Sequence, residues 1–191
     1  MLILVPTAIE SALLFPDGAP APLALCGFGL AAAGAGAAHA IAMHTQVAAE
    51  GVILVGAAGT YDPDRHPIGS AILAGAIRCE GIGTGTGTAH RSGAELGFAD
   101  SDVVTLGDGP ELLSVAAAAG SAGDVAARRA RHPAAAGEEM EGYAVALAAQ
   151  AFGVPLRIVR GFSNVAGDRD RARWRMDAAL RRAAELVSET A

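Results

Sequence analysis

Four carboxylates in this chain are notable for where they stand. Glu138, Glu139 and Glu141 fall within four residues, at the start of a segment from Gly137 to Phe152. Its apolar side chains (Met140, Ala144, Leu147, Ala148, Ala151) recur at helical spacing, and Gly153 and Pro155 would stop a helix there. On this reading the acids crowd a helix start, complement the positive end of its dipole and point in different directions. Glu10 follows the apolar run Leu2 to Val5 by five residues. If that run is a strand, Glu10 lies at the carboxyl edge of a sheet, where open α/β folds bind ligands; position alone leaves a surface glutamate equally open. Fixed carboxylates can take a proton from water or stabilise a developing cation.

Other motifs are weaker. Gly161-Phe162-Ser163-Asn164-Val165 has the front half of a nucleophile elbow, but Val165 replaces the second glycine and Gly167-Asp168-Arg169 follows instead of a helix. A serine hydrolase is therefore not expected. Gly27-Phe28-Gly29-Leu30-Ala31-Ala32 matches G-x-G-x-x-A, the dinucleotide fingerprint. That site needs an acid at the end of the next strand, where this chain has Val55-Gly56, so the glycines read better as tight helix packing. A nicotinamide-dependent oxidoreductase built on Gly27 and Gly29 is the alternative of a different class. Gly83 to Thr88 lacks the Gly-Lys-Ser/Thr ending of a phosphate loop and reads as a surface loop. His39, His44, His66, His90 and His132 form no metal pattern, with only His66 and His90 expected in loops, and neither a metal nor a cofactor is expected.

The elements that must position these groups alternate. Strands are expected at Leu2 to Val5, Leu23 to Cys26, Val52 to Val55 (ending at a glycine turn, 56–59), Ile68 to Ile77, Val103 to Leu106, Leu112 to Ala117 and Leu156 to Phe162. Helices are expected over Leu30 to Gln46, Gly137 to Phe152 and about Asp170 to Val187, the last with an amphipathic face of Trp174, Ala178, Leu180 and Leu186. Alternation of this kind predicts a mostly parallel α/β sheet covered on both sides. The 191 residues carry no internal repeat or linker, so residues 1–191 read as one domain.

Bulk properties exclude several classes. Hydrophobic residues make up 52% and charged residues 18%, enough apolar material for a sizeable core. All 14 basic residues are arginine, which reflects a compositional bias and carries no functional message. The net charge of −6 and a pI near 5.3 offer no basic face to a polyanion, so nucleic acid is not an expected partner. Cys26 and Cys79 are distant and unpatterned. The opening Met1-Leu2-Ile3-Leu4-Val5 is too short for a signal peptide or a membrane span, which predicts a cytoplasmic protein without a membrane partner.

Taken together, blocks spread along the chain resemble the nucleoside phosphorylase and nucleosidase superfamily. They are the first strand with Glu10, Val55-Gly56-Ala57-Ala58-Gly59, Glu139-Met140-Glu141-Gly142-Tyr143-Ala144, Val154-Pro155, and Val159-Arg160-Gly161-Phe162-Ser163-Asn164-Val165-Ala166. Within it, Arg-Gly-Phe-Ser-Asn followed by Gly167-Asp168-Arg169-Asp170 looks most like the futalosine hydrolases, which act in a route to menaquinone. The resemblance implies a three-layer α/β/α fold with a central mixed, mostly parallel sheet, and an N-glycosidase acting on a purine nucleoside. It implies that Glu141 binds the ribose 2′-hydroxyl and stabilises the ribosyl cation, and that Met140 packs on the sugar. Glu10 would hold and deprotonate the attacking water. Backbone at Ala58 and Gly59 would wall the sugar pocket, with Arg160 and Ser163 in support.

Asn164 discriminates among members. Adenine-type nucleosidases of the superfamily, which act on methylthioadenosine and S-adenosylhomocysteine, place an aspartate there that can protonate N7 of the base. An asparagine can only donate a hydrogen bond, which suits a 6-oxopurine and predicts release of hypoxanthine. Phosphorolysis is a further alternative, but Glu10 would repel phosphate beside the sugar. The aromatic that often stacks on the base is missing: the region reads Ala116-Ala117-Ala118-Ala119-Gly120, leaving Phe28, Phe98, Tyr61 and Phe162 as substitutes. Arg65, Arg78 and Arg91 could reach a benzoate carboxylate on the substrate's tail, but each reads better as a solvated surface arginine. Both the resemblance and the mean hydropathy of +0.36 point to a homo-oligomer.

Overall fold

A computed structural model describes residues 1–44, 47–85, 87–98 and 102–190. In chain order the elements are β1 (Leu2–Val5), α1 (Ala8–Leu14), β2 (Leu23–Leu25), α2 (Leu30–Met43), the short α3 (Val47–Glu50), β3 (Val52–Thr60), β4 (Ala71–Leu73), β5 (Ala76–Glu80), β6 (Gly83–Thr84), β7 (Arg91–Ser92), β8 (Val103–Thr105), β9 (Glu111–Val115), α4 (Ala122–Arg131), β10 (Ala135–Glu139), α5 (Gly142–Phe152), β11 (Leu156–Val165) and α6 (Met176–Thr190).

Nine strands form one mixed sheet, with β3 at its centre. β11 lies parallel to β3 along its whole length; on the other side β1 flanks the first part of β3 in parallel and β10 joins its end antiparallel. From β10 the sheet continues through β9 and β5, both parallel, to the antiparallel edge strand β8. Alternating side chains serve opposite faces. Leu2, Leu4 and Leu54 pack with Ala33, Ala37 and Ile41 of α2 and Val145 and Ala149 of α5. Ile3, Val5, Ile53, Val55 and Val159 pack with Leu14 of α1 and Leu180, Ala183 and Val187 of α6. The result is the expected three-layer α/β/α arrangement, with strands buried on both faces.

Small residues bring the layers close. A Cβ at Gly36 would overlap the Cys26 backbone, coming within 2.9 Å of its Cα, and one at Gly34 would meet Ala144 Cβ at 3.3 Å. The tight packing expected of Gly27 and Gly29 therefore falls mainly on glycines inside α2. The Gly83-to-Thr88 loop opens the hairpin of β6 with β7; Gly83, Thr84, Gly85 and Gly87 are exposed, and Thr86 lies outside the described residues. Gln46, the expected end of the α2 helix, also lies outside them.

Several boundaries differ from those read off the sequence. Residues 137–152 do not form one helix: Ala135–Glu139 is a fully buried strand, and the helix begins only at Gly142. Glu138 and Glu139 hid that strand because their carboxylates are satisfied internally, so an inward-facing stretch carries two acids. The expected glycine turn at 56–59 is strand, since β3 runs on to Thr60 against β11 and β10. The Ile68-to-Ile77 strand is two, β4 and β5, in different parts of the sheet. Gly75 separates them, with its carbonyl accepting from Leu106 and Gly107 and no room for a side chain against Gly109. Trp174 precedes α6, which starts at Met176 after a single 3₁₀ turn (Arg171–Arg173).

Candidate active site

β1, β3, β9, β10 and β11 end around a cleft of about 420 Å³, a volume suited to a small ligand. Its lining includes Glu10, Ala58, Gly59, Met140, Glu141, Ser163 and Asn164. Of the eight residues expected to act on the sugar and the base, Arg160 alone does not line the cleft; it lies fully buried behind it.

Glu10 sits in the first turn of α1. Thr7 caps that helix: its Oγ1 accepts from Glu10 N (3.2 Å) and donates to Glu10 Oε2 (2.7 Å). Thr7-x-x-Glu10 has the sequence pattern of a capping box at the end of β1, but Glu10 turns back to the Thr7 hydroxyl and not to its backbone N–H. The other carboxylate oxygen accepts from Ala57 N–H on β3 at 3.0 Å. Two donors from different elements therefore fix the Glu10 carboxylate at the cleft.

Glu141 is held from two sides as well. Gly29 N–H donates to its Oε1 at 3.0 Å and Arg160 Nη2 to its Oε2 at 3.0 Å. The glycine turn before α2, read from sequence as a dinucleotide candidate, thus directs an N–H at a carboxylate of its own chain. Burial raises the Glu141 pKa above the ordinary carboxylate value; Arg160 opposes that shift and the Glu139 charge adds to it.

Glu139 serves the helix. Its Oε2 accepts from the N–H groups of Glu141 (3.0 Å) and Gly142 (2.7 Å) and from Arg160, and its Oε1 accepts from the Ser114 hydroxyl. Ser114 Oγ in turn accepts from Tyr143 N–H at 2.7 Å. Side chains of β9 and β10 thereby satisfy the otherwise unpaired donors of α5, and this fixes where Glu141 emerges. Glu138 is buried on the opposite side of β10, bound by Tyr61 Oη (2.8 Å), Ala119 N–H (2.6 Å) and Arg128. Glu138 and Glu139 are consequently not loose helix-end charges. Each ties β10 to its neighbours.

Arg160 is the one guanidinium among Glu10, Glu139 and Glu141, and only its Nη2 is engaged. Burial works against its charge, but the three carboxylates outweigh that and raise its pKa, so it stays cationic. One cation among three acids leaves the cluster with excess negative charge towards the cleft.

The placement of Asn164 depends on a β-bulge. Phe162 pairs with Ala58 and Asn164 with Gly59, so Ser163 is an extra residue in β11. Such an insertion bends the strand and re-aims the next side chain. Val165 O can only accept, so the Asn164 Nδ2 that lies 2.8 Å from it is the donor end, and Oδ1 accepts from Ser163 Oγ at 2.8 Å. Nδ2 carries a second hydrogen, the one available to a ligand. Ser163 also lies 3.2 Å from Ala58 O; it is a strand residue that orients the amide.

Among the aromatic substitutes, only Phe28 lines the cleft. Tyr61 is buried on Glu138, Phe162 is fully buried against His66, and Phe98 is 87% exposed elsewhere. Trp174, expected on the apolar face of the last helix and not at a site, also lines it, its Nε1 donating to Asp168 O at 3.0 Å. The arginines expected at the substrate's tail are elsewhere. Arg78 pairs with Asp102 and Glu111 in a separate polar cleft that also contains His90, and Arg65 and Arg91 do not line the site. Arg169 and Arg171, missed above, stand at its mouth.

The model of the phosphorylase superfamily matches residues 14–191. Futalosine hydrolase of Streptomyces coelicolor is 35% identical over 154 residues, 73% of this chain and 64% of that protein, so the chain spans about 64% of this relative's length. In fold, the chain is similar to a 5′-methylthioadenosine/S-adenosylhomocysteine nucleosidase of Colwellia psychrerythraea in complex with adenine (TM-score 0.71, 20% identity, covering 97% of this chain and 91% of that one). It is equally similar to futalosine hydrolase of Helicobacter pylori (TM-score 0.71, 15% identity, covering 98% and 94%).

Proposed function

The chain belongs to the phosphorylase superfamily, and from that premise we propose that it is a hydrolytic N-glycosidase releasing hypoxanthine from futalosine. The observation that carries this reading is one cleft with two immobilised carboxylates, Glu10 and Glu141, facing an amide donor, Asn164. Cleavage of the C1′–N9 bond passes through a ribosyl cation, which needs negative charge at the sugar and hydrogen-bond donors at the base.

In the proposed mechanism Glu141 accepts from the ribose 2′-hydroxyl and stabilises the cation, while Met140 and the backbone of Ala58 and Gly59 enclose the sugar. Water bound to Glu10 attacks C1′ and its proton passes to the Glu10 carboxylate. The C1′–N9 electron pair leaves with the purine as an anion, which accepts a hydrogen bond at N7 from the free Nδ2–H of Asn164 and then takes a proton from water. Arg160 and Ser163 act behind them, by orienting Glu141 and the Asn164 amide. The 35% identity to a futalosine hydrolase supports this substrate over an adenine nucleoside, and the amide at 164 supports it independently. Phosphorolysis is disfavoured because the excess negative charge around Arg160 would repel phosphate.

The same reading treats residues 1–191 as one nucleoside phosphorylase-like domain of a cytoplasmic homo-oligomer in menaquinone biosynthesis, with a small-molecule nucleoside as partner and neither nucleic acid nor membrane. Among the described residues no helix is long and apolar enough to cross a membrane. Glu10→Ala tests the assignment: futalosine turnover should fall by about a hundredfold or more while binding persists. Retained turnover would remove Glu10 from the chemistry.

A further inference from the structure

One buried acid beside the cleft has no part in the chemistry described so far. Glu138 is 4% exposed and stands two strands across from Asn164, since the register pairs Glu138 with Gly59 and Gly59 with Asn164. Past the end of β9, residues 116–120 read Ala-Ala-Ala-Ala-Gly, and Ala118 among them lines the cleft. This segment has no side chain longer than a methyl with which to anchor itself.

Its anchors come from elsewhere. Glu138 Oε1 accepts from Ala119 N–H at 2.6 Å, and Arg128 Nη2 donates to Ala117 O at 2.7 Å. Arg128 Nη1 donates to Glu138 Oε2, which also accepts from Tyr61 Oη at 2.8 Å. One ion pair therefore grips the chain on both sides of Ala118. Arg128 belongs to α4, which has no buried residue. Polar contacts hold that helix on the body: Arg128 to Glu138, Arg129 to Tyr61 O and Arg131 to Glu80. At its other end the segment meets β11, where a Cβ on Gly167 would come within 2.6 Å of Ser121 O.

We propose that the Arg128–Glu138 pair is a latch that positions the purine, by holding residues 117–119 as a wall across from Asn164. The proposal rests on the nucleosidase reading above. Both are positioning residues that act through the wall. An alanine run released from its charged anchors would be ordered by the base at the base's own expense, which weakens base binding and leaves the sugar end unaffected.

The test compares inhibition of futalosine hydrolysis, without phosphate, by the base alone and by a cationic iminoribitol that mimics the sugar and carries no base. Arg128→Met should raise the inhibition constant of hypoxanthine about tenfold, as expected for lost charged hydrogen bonds, and that of the iminoribitol less than about twofold. Glu138→Gln, which keeps an acceptor for Ala119 and Tyr61 but loses the ion pair, should shift the same ratio in the same direction. Arg128→Lys should fall between, because one ammonium cannot hold Glu138 and Ala117 O as a planar fork does. Arg131→Met is the control for loosening α4 away from the cleft: it removes the ion pair to Glu80 and should leave the ratio unchanged.

Equal weakening of both probes in Arg128→Met would make the pair a general support of the fold and overturn the proposal. So would a hypoxanthine constant that neither Arg128→Met nor Glu138→Gln changes, or futalosine hydrolysis that no free base inhibits. Inhibition by adenine instead, with cleavage of aminodeoxyfutalosine (the adenine counterpart of futalosine) in preference, would overturn the 6-oxopurine reading, and the latch would be judged on adenine. Cleavage of neither nucleoside would overturn the nucleosidase reading and the latch with it.

Discussion

Gly56→Ala should damage both the fold and the site, because the space at Gly56 is already taken by Arg160 and Glu10. A Cβ there would overlap Arg160 Nη1, lie 2.9 Å from Glu10 Oε1 and come within 3.2 Å of Pro6 Cδ. Arg160 cannot retreat, being fully buried with its Nη2 shared between Glu139 and Glu141. Glu10 cannot move without giving up the Ala57 N–H. Forcing an extra methyl into a packed site costs about 1–3 kcal/mol, and displacing one partner of a buried ion pair about 3–5 kcal/mol. Partial relaxation puts the expected loss near 3 kcal/mol, or roughly 6–12 °C in Tm at this chain length. Turnover should fall further than stability alone implies, since Glu10 and Glu141 both lose their positions. Thermal melts and hypoxanthine release would be measured together, with Gly107→Ala as control: nothing lies within 4 Å of a Cβ there, so its effect should stay within about 0.5 kcal/mol. A Gly56→Ala protein that melted within about 2 °C of wild type and kept a third of its activity would refute the packing argument.

Three further outcomes follow from the same geometry. Asn164→Asp should lower kcat/KM on futalosine about a hundredfold, the usual cost of losing one preorganised donor, and move preference towards aminodeoxyfutalosine in the same assay. Because the Glu141 pKa is raised, first by burial, its carboxylate takes up a proton at a higher pH than an ordinary glutamate. The acid limb of the kcat/KM profile should therefore lie above the ordinary value of 4.5, and Glu141→Gln should remove it along with most activity. Glu80 behaves in the opposite sense: burial works against its charge, but His132 and Arg131 more than compensate and hold its pKa down to about 2. Its contribution to stability is present above the unfolded-state value and lost as pH falls from about 4.5 to about 2, so Glu80→Gln should flatten the acid side of a stability–pH curve there.

What the sequence disclosed and what it concealed have a common cause. Apolar runs such as Leu2–Val5 and Leu156–Phe162 announce buried strands because both sheet faces are covered, and the site residues were legible as blocks in chain order. β10 stayed hidden because its strand signal is broken by Glu138 and Glu139, whose partners (Tyr61, Arg128, Ser114, Arg160) come from distant parts of the chain. No local pattern shows that a carboxylate will be satisfied 77 residues away. α1 and α4 were missed although their caps are local: Thr7-x-x-Glu10 and Ser121-x-x-Asp124 both carry the capping pattern. The bulge at Ser163, which aims Asn164, depends on register with Ala58 and Gly59 and has no signature within its own strand. Arg171 and Trp174 read as part of the last helix, with Trp174 on its apolar face, whereas both precede that helix and line the cleft together with Ile9.

The most direct test of the hydrolytic assignment follows the oxygen. Futalosine incubated with the protein in ¹⁸O-labelled water, without phosphate, should give free hypoxanthine and a sugar product carrying one ¹⁸O at C1′, at a rate that added phosphate does not increase. Base release that requires phosphate and leaves a sugar 1-phosphate without the label would contradict it.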